Sequence, residues 1–582
     1  MGDRDSRRLR VLPPIPSGIR LRTALAVAAG VAAGAFATLA AGQTPPSRPP
    51  NAAPASTPAS TLAPKLLDGE FDDWKTLSII STTRDGLDAL GGAPELLTVS
   101  LDCDLDSLWV YLEFRDEINL QALDHPLFLF VDADVPQQGA SGGVLPGADF
   151  VIIFSPTDDE RAAGAAKDAK SGKDAASSGP PRAKDHGQGV LVRRLLPDGS
   201  MGDSVDPRLI GLGMAPAHAS RTFELHLDRG PTSFAGKSGS VRTAFLAKNA
   251  ATGAVEALEI ADPTRILLTP RPSDRPVAAP TVSADAVARG PDAALRVVTW
   301  NAELGALFDH PEAFAATISA LRPDVVLWQE LGKKATAESL AAWMNEHVRG
   351  DGPPWQAIVS GGDLRTGIVA RTALAPAPFL DGLTWTAAKG RRDVRVAGAI
   401  LERDGRRTLL ASLHLKCCGR IGSSEDETRM GESKAIHDAI ASATAKLAEA
   451  GTPLSGILVA GDFNLVGAVT PLRTTAAGID LDGSDLDIVP AFHLDGRTNA
   501  TWRSAGNDFL PGRLDWMLLS GSSMRVARTF VFSAEDLSTA AVAALSLPPS
   551  ALKEPSDHRP VVADVTFSAA APAAPAKDTH QP

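Results

Sequence analysis

Six short motifs within residues 298–558 carry carboxylate, amide and imidazole side chains at the edges of apolar, strand-like runs. Hydrolysis of a phosphoester needs charge neutralisation, an activated water and help for the leaving oxygen, and these side chains can supply all three around a metal ion. Each motif alone is common in turns and surface loops, but chance is a poor explanation for the complete ordered set. The motifs are Val298-Thr299-Trp300-Asn301, Trp328-Gln329-Glu330, Ser412-Leu413-His414-Leu415, Gly461-Asp462-Phe463-Asn464, Arg513-Leu514-Asp515-Trp516 and Ser556-Asp557-His558.

Two of these residues can be given a role from their context. Glu330 follows the apolar run Val325–Trp328, so a buried strand would deliver its carboxylate to the edge of a sheet. A hard oxygen ligand at that place suits Mg²⁺ or Mn²⁺. His558 is the candidate general base, because a neutral imidazole has a suitable pKa for taking a proton from water near neutral pH.

The ordered set resembles the endonuclease/exonuclease/phosphatase superfamily over roughly residues 295–567. The resemblance implies that Asn301 and Asp557 complete the metal site around Glu330, and that Asp515 orients His558. The family fold is a four-layer α/β sandwich, in which two packed β-sheets are flanked by helices, and we expect it over residues 294–567. The alternation of strand-like and helix-like runs there is compatible with this fold, and the clearest helix is predicted for residues 425–450.

The same resemblance assigns the remaining polar residues of the motifs. It implies that Asp462 binds or orients the attacking water, that Asn464 contacts the phosphate, and that His414 protonates the leaving group or binds phosphate. A buried structural histidine is the alternative for His414. Family members often place a basic residue before the strand that begins near residue 397, so we expect one phosphate ligand in this basic segment. The segment contains Lys389, Arg391, Arg392 and Arg395, with Arg391 and Arg395 as the candidates.

The first half of the chain carries alternating strand patterns and few helical ones, which predicts an antiparallel β-sandwich over residues 64–270. A low-complexity insertion is expected at 160–188 and a linker at 271–293. The segments Asp68–Trp74, Phe130–Asp134 and Gly147–Phe150 loosely resemble family-9-type carbohydrate-binding sandwiches. The resemblance implies that this half could bind a sugar or Ca²⁺. Trp74 and Trp109 could form a sugar platform, but we expect at least one of them in the core. The acidic residues that could bind Ca²⁺ are Asp132, Asp134 and Asp149, although acidic residues are also favoured in turns.

The N-terminus has the order of an export signal. Six arginines precede an uncharged run at residues 23–40, and small residues follow. We expect residues 1–42 to be a cleaved signal peptide, with an uncleaved membrane anchor as the alternative, and the protein to be exported. A Pro/Ala-rich spacer at 43–63 and a tail at 568–582 are expected to be disordered.

Three cysteines in 582 residues rule out a disulfide framework as the source of stability. Cys417 and Cys418 are adjacent and follow the His414 motif. They are either a neighbouring pair of thiols or a vicinal disulfide that shapes a loop, and the sharper alternative is a redox or soft-metal site.

The composition sets further limits. A formal net charge of −12 gives no basic footprint of the kind that polyanion binding usually leaves. The sequence predicts an exported, divalent-metal-dependent phosphoesterase that acts on phosphomonoesters or phosphodiesters. The alternatives are a secreted nuclease acting on DNA or RNA, and a binding or adhesion protein whose catalytic domain has decayed.

Overall fold

The structure is a computed structural model, and it describes residues 65–74, 82–83, 94–103, 107–132, 145, 147–162, 188–228, 240–248, 255–258, 266–267, 282–348, 350, 352–387, 390–505, 507–553 and 555–568. The predicted export signal, the spacer, most of the insertion, Asp134, Lys389 and all but the first residue of the tail lie outside this range. Among the described helices, none is both long and apolar enough to cross a membrane.

The first half of the described chain forms two antiparallel sheets. The strands are β1 (Thr82–Thr83), β2 (Leu96–Cys103), β3 (Ser107–Ile118), β4 (Leu127–Asp132), β5 (Phe150–Phe154), β6 (Val190–Leu195), β7 (Met201–Val205), β8 (Gly213–Ala215), β9 (Ser220–Asp228), β10 (Ser240–Lys248), β11 (Val255–Leu258) and β12 (Ile266–Leu267), and a short helix, α1, spans Asp158–Ala162. One sheet has the strand order β1-β2-β3-β9-β8, and the other has the order β11-β10-β4-β5-β6-β7, with β12 paired to β10.

Alternation of apolar residues explains how these two sheets pack. In β3 the predicted inward face is Leu108, Val110, Leu112 and Phe114, and all four side chains are fully buried. They share one apolar core with residues of β4 and β5 from the other sheet. Two sheets that bury one face each around a common core are what an antiparallel β-sandwich requires.

The tryptophans proposed as a sugar platform are buried. Trp74 is 3% exposed and Trp109 is 4% exposed, so neither ring can stack on a sugar at the surface. The indole Nε1 of Trp74 donates a hydrogen bond to the carboxylate of Glu224, and the amino group of Lys65 lies 3.5 Å from the centre of the Trp74 ring. The burial of both rings confirms the expectation that at least one of these tryptophans belongs to the core, and it excludes a surface platform made of the two.

The second half contains two mixed six-stranded sheets, ordered β15-β16-β14-β13-β26-β25 and β17-β20-β21-β22-β24-β23, and a small hairpin of β18 and β19. Its strands are β13 (Leu295–Asn301), β14 (Val325–Gln329), β15 (Gln356–Val359), β16 (Gly367–Ala370), β17 (Leu374–Pro376), β18 (Thr384–Ala387), β19 (Gly390–Asp393), β20 (Val396–Arg403), β21 (Arg406–His414), β22 (Gly456–Asp462), β23 (Asp487–Ile488), β24 (Asp515–Leu519), β25 (Met524–Val531) and β26 (Val561–Phe567). Its helices are α2 (Ala306–Asp309), α3 (Pro311–Leu321), α4 (Ala337–His347), α5 (Ser424–Glu449), α6 (Thr470–Ala476) and α7 (Thr539–Ala544).

Apolar side chains divide this half into layers. One buried cluster joins the inner faces of the two sheets and includes Val297, Leu327, Leu410 and Leu458. A second cluster packs α3 and α4 on the outer face of the first sheet, and a third packs α5 and α6 on the outer face of the second. The second half is therefore the predicted α/β sandwich, with two packed sheets between outer layers of helices.

Helix α5 shows how local sequence fixes an element. The hydroxyl of Ser423 accepts a hydrogen bond from the backbone N–H of Asp426, which satisfies one of the free donors at the start of the helix. Gly451 follows the helix end with φ of 73°, a conformation that glycine adopts without steric cost. The helix predicted for residues 425–450 is confirmed within one residue at each end.

The end of the predicted linker packs on the second half. Residues 284–287 form a 3₁₀ turn, and the buried guanidinium of Arg296 donates a hydrogen bond to the carbonyl of Val287. The N–H of Gly290 donates to a carboxylate oxygen of Asp564, which also receives the guanidinium of Arg296. Residues 282–293 therefore pack on the second half, where Val287 and Gly290 bind the buried ion pair of Arg296 and Asp564.

The two halves also contact each other directly. Leu510, from the second half, is 3% exposed and belongs to the apolar core of the β-sandwich. Its backbone N–H donates to the side-chain oxygen of Gln121 at 2.7 Å. Asn119 makes two further hydrogen bonds into the second half, one to the carbonyl of Val466 and one from the N–H of Ile421. The β-sandwich is thus anchored to loops of the second half.

Candidate functional site

Strand pairing brings the predicted site residues to one end of both sheets. In the first sheet β13 and β14 run parallel, and Asn301 pairs with Gln329, the residue before Glu330. In the second sheet His414 of β21 pairs with Asp462 of β22. Asp462 pairs in turn with Asp515, at the start of the antiparallel strand β24. A link between the sheets comes from Gln329, whose amide nitrogen donates to the hydroxyl of Ser412 at 3.0 Å.

His558 is held in one orientation by buried neighbours. Its Nδ1 atom lies 2.7 Å from Oδ2 of Asp515, and the hydroxyl of Thr501 donates to the same oxygen at 2.7 Å. The Thr501 oxygen also accepts the backbone N–H groups of Leu514 and Asp515. Nδ1 therefore binds the carboxylate, and Nε2 is left to face the other side chains of the site.

Asn301 connects the two sheets inside the site. Its Nδ2 group lies 3.2 Å from a carboxylate oxygen of Glu330 and 3.1 Å from Oδ2 of Asp462. Asp462 also accepts the backbone N–H and the side-chain amide of Asn464, each at 2.9 Å. Asn464 has φ of 48° and Glu330 has φ of 53°, so both residues adopt the left-handed conformation that non-glycine residues rarely take.

His414 lies in the same cluster. Its Nε2 atom is 3.5 Å from Glu330 Oε1 and 3.6 Å from Asp462 Oδ2, and it is buried with no hydrogen-bond partner among the described residues. On the other side of the ring, Nδ1 lies 3.4 Å from the guanidinium of Arg395. Burial, followed by the positive charges of Arg395, His558 and Lys416, lowers the pKa of His414 well below its usual value.

Burial and neighbouring charges shift the pKa values of Asp462 and His558. Burial raises the pKa of Asp462 to about 8, and the charges of Asp515 and Glu330 add to this effect. Burial alone would lower the pKa of His558, but the carboxylates of Asp515, Asp462 and Asp557 outweigh burial and raise it to about 10. The neighbouring carboxylates therefore favour the protonated form of His558, and a cation bound among them would oppose this effect.

These residues fit a divalent cation. Glu330, His414 and Asp462 have ligand atoms within 4.8 Å of one another, and so do Asp462, Asp515 and His558. The unpartnered Nε2 of His414 and the mutual repulsion of buried carboxylates are both relieved by a cation among them. Carboxylate and amide oxygens are ligands that Mg²⁺ and Mn²⁺ favour. The corresponding acidic groups of the sandwich, Asp132 and Asp149, do not belong to a cluster of this kind among the described residues.

Three further residues complete the site and were not identified from the sequence. Thr501 fixes Asp515, as described above. The indole Nε1 of Trp502 donates to Oδ2 of Asp557 at 2.9 Å, and the carboxylate of Glu303 accepts the backbone N–H of Asp557 at 3.0 Å. Glu303 stands two residues after Asn301 and could have been found as an acidic residue near a motif, whereas no local pattern distinguishes Thr501 or Trp502.

The two candidate phosphate ligands lie in different surroundings. Arg395 contacts His414 and is therefore at the site. Arg391 lies on the exposed hairpin of β18 and β19, where its guanidinium donates two hydrogen bonds to the hydroxyl of Thr384. The described contacts of Arg391 thus remain within its own hairpin, and they give it no part in the cluster.

One segment of the chain matches a known protein family. Residues 298–558 match the Endonuclease/Exonuclease/phosphatase family. This match confirms the family resemblance for the segment that contains all six motifs. No curated protein matches the chain.

Similar solved structures cover about half of this chain. The human Nocturnin catalytic domain with bound sulfate anion is 18% identical, covers 48% of this chain and 97% of its own length, and has a TM-score of 0.31. An endonuclease/exonuclease/phosphatase from Bacteroides vulgatus is 15% identical, with 47% and 99% coverage and a TM-score of 0.32. Sphingomyelinase C from Streptomyces griseocarneus is 20% identical, with 46% and 98% coverage and a TM-score of 0.30.

Proposed function

We propose that the second half is a divalent-metal-dependent phosphoesterase that hydrolyses phosphomonoesters or phosphodiesters with water. The observation that carries the proposal is the buried His558–Asp515 pair beside the carboxylates of Asp462 and Glu330. The family match supports it, because the family comprises nucleases and phosphatases, and both act on phosphoester bonds.

Each residue has a distinct part in the proposed reaction. Glu330, Asn301 and Asp557 would hold the cation, which neutralises the anionic phosphoester when bound. Nε2 of His558 takes a proton from the attacking water, while Asp515 keeps the ring in place and stabilises its positive charge. Asp462 orients that water, and the amide of Asn464 contacts a phosphate oxygen without adding charge.

His414 and Arg395 complete the proposal on the other side of the cluster. Arg395 can neutralise a phosphate oxygen, and His414 either protonates the leaving oxygen or binds the phosphate.

We also propose that the protein is exported, because the basic, apolar and small segments of residues 1–42 follow the order of a signal peptide. N-terminal sequencing of the secreted protein should give a start near Gln43.

A metal-dependent activity screen tests the proposal. Purified full-length protein would be assayed with Mg²⁺, Mn²⁺ or a chelator on aryl phosphates, sugar phosphates, phospholipids and DNA. Glu330→Gln keeps the shape of the side chain but removes its charge, and should lower kcat by about a hundredfold or more, a loss typical of electrostatic catalytic groups. The control is Glu338→Gln, an exposed glutamate at the start of α4, which should retain full activity. Undiminished hydrolysis in chelator would refute the metal role.

A further inference from the structure

Two adjacent thiols lie in the loop that follows β21. The Sγ atoms of Cys417 and Cys418 are 2.8 Å apart. Cys418 is exposed and Cys417 is half-buried, so a small molecule in solution can reach the pair. The remaining cysteine, Cys103, is 1% exposed in the core of the β-sandwich. The reaction partner for either thiol within this chain is therefore its neighbour.

The loop backbone is held in a shape that keeps the thiols together. The guanidinium of Arg429 is fully buried, and its Nη1 group donates to the carbonyls of Lys416 and Cys418 at 3.0 and 2.7 Å. These two carbonyls flank Cys417. Cys418 has φ of 71°, a left-handed conformation that a non-glycine residue adopts only when its surroundings impose it.

The two thiols are electrostatically unequal. A hydrogen bond from the Cys418 thiol lowers the pKa of Cys417 to about 6, and Lys416 and Arg395 assist against the opposing effect of burial. The same hydrogen bond raises the pKa of Cys418. Cys417 is thus the thiolate at neutral pH and the nucleophile of the pair, since thiolates and not thiols attack disulfides.

The positively charged side chains that act on the Cys417 thiolate also act on the proposed phosphate site. The amino group of Lys416 lies 3.8 Å from Sγ of Cys417. Arg395 also contacts His414, and after burial the charges of Arg395, His558 and Lys416 lower the pKa of His414. A thiolate at Cys417 therefore partly neutralises the positive charge that an anionic phosphoester would meet beside His414.

We propose that Cys417 and Cys418 form a thiol–disulfide exchange site, and that its oxidation frees the charges of Lys416 and Arg395 for an anionic substrate. The second part rests on the proposed phosphoesterase function. In the reaction, the Cys417 thiolate attacks a low-molecular-weight disulfide and forms a mixed disulfide, with release of one thiolate. Cys418 then loses its proton and attacks Sγ of Cys417, which releases the second thiol. The two cysteines, starting from the Cys417 thiolate, lose two electrons and one proton, and the external disulfide gains them as one thiolate and one thiol.

Such a bond would be readily reversible. Adjacent residues have Cα atoms about 3.8 Å apart. Unstrained disulfides join Cα atoms roughly 4.4–6.8 Å apart, and departures from that range make the bond easier to reduce. A bond between neighbours is therefore suited to respond to the surrounding ratio of thiol to disulfide, and poorly suited to a purely structural role.

Mass spectrometry tests the chemistry without reference to activity. Full-length protein would be equilibrated in buffers of varied oxidised-to-reduced glutathione ratio, quenched by alkylation and digested. A peptide containing Cys417 and Cys418 should lose two hydrogens reversibly, while the mass of the alkylated Cys103 peptide should not change. Cys418→Ser should accumulate a mixed disulfide with glutathione at Cys417, because no second thiol is present to release it. Failure to form the bond or the mixed disulfide would overturn the exchange site.

Kinetics test the link to the phosphate site. With saturating Mg²⁺ and an aryl phosphate, oxidation should lower KM by about two- to fivefold, the effect of one partly exposed charge. Cys417→Ser lacks the thiolate and should show the low KM in both buffers, while Cys103→Ala should behave as wild type. An unchanged KM on complete oxidation would refute the charge mechanism. Disulfide formation in a protein that hydrolyses no phosphoester would refute the proposed function but not the exchange site.

Discussion

Nδ1 of His558 lies 2.7 Å from Oδ2 of Asp515, and neither side chain is more than 6% exposed. The residues are 43 positions apart in the chain. The hydroxyl of Thr501 binds the same carboxylate oxygen from another loop, so the orientation of the imidazole depends on three separate segments. A proton acceptor that is held this tightly needs little reorganisation during reaction.

The Thr501 hydroxyl should therefore contribute to catalysis through Asp515. Thr501→Val keeps the shape of the side chain but removes the hydrogen bond to Asp515 Oδ2 and those accepted from the N–H groups of Leu514 and Asp515. It should lower kcat by about tenfold with little change in KM. The matched control is Thr475→Val in α6, a fully buried threonine whose hydroxyl donates to the carbonyl of Pro471. Equal kcat for the two variants would contradict the positioning role.

His558 and His414 should differ in how their loss depends on the leaving group. His558→Ala removes water activation and should lower kcat/KM by about a hundredfold or more for activated aryl phosphates and alkyl phosphates alike. If His414 protonates the leaving oxygen, His414→Ala should spare the activated substrate, because a good leaving group needs little protonation. The measurement is the ratio of kcat/KM between the two substrates with metal saturating. Equal losses for His414→Ala would assign it to phosphate binding instead.

Asn119 should couple the β-sandwich to the site. Its side chain accepts the N–H of Ile421, in the loop after Lys416, and donates to the carbonyl of Val466, two residues after Asn464. Asn119→Ala frees both loops and should lower kcat/KM by about tenfold, since small displacements of positioned groups cost this much or more.

Gln121→Ala supplies the comparison for Asn119. Gln121 is equally buried and also bonds across the contact between the two halves, but its partner is the N–H of Leu510. Both variants should lose similar thermal stability, and the Gln121→Ala variant should keep kcat/KM within about twofold of wild type. A parallel loss of activity in the two variants would show that the contact between the halves is purely structural.

Glu224 should make stability depend on pH. Burial raises its pKa to about 8, against the hydrogen bonds it accepts from Gly69, Asp68 and Trp74. The folded protein therefore binds this proton more tightly than the unfolded chain does. The resulting stabilisation is complete below the ordinary pKa of 4.5 and is lost as the pH rises through about 8.

Glu224→Gln should remove this dependence. The difference in Tm between wild type and the Glu224→Gln variant should decrease from pH 5 to pH 8.5 by about 4 °C, the shift that roughly 2 kcal/mol produces in a large domain. Glu117→Gln, an exposed substitution on β3, should leave the pH profile of Tm unchanged. A constant difference between wild type and Glu224→Gln at all pH values would contradict the assignment.

The sequence predicted which polar residues would lie close together where these residues coincide with strand ends. Asn301, Asp462 and His414 each terminate an apolar run, and in parallel pairs such ends meet at one edge of a sheet. Their side-chain types then restrict the chemistry to anion and metal binding. The two cores could also be predicted, because alternation along β3 and helical periodicity along α5 specify which face is buried.

Other features depend on contacts between distant segments, and only the tertiary structure decided them. Thr501 and Asn119 stand in loops without periodicity, so no local pattern distinguishes them from other polar residues. The buried state of Trp74 results from Glu224, 150 positions away. The lowered pKa of Cys417 depends on the hydrogen bond from Cys418 and on the charges of Lys416 and Arg395, and the buried Arg429 binds the carbonyls that flank it. Local sequence determines which faces of strands and helices are apolar, but side-chain pairing and pKa values depend on distance and burial, which exist only once the chain has folded.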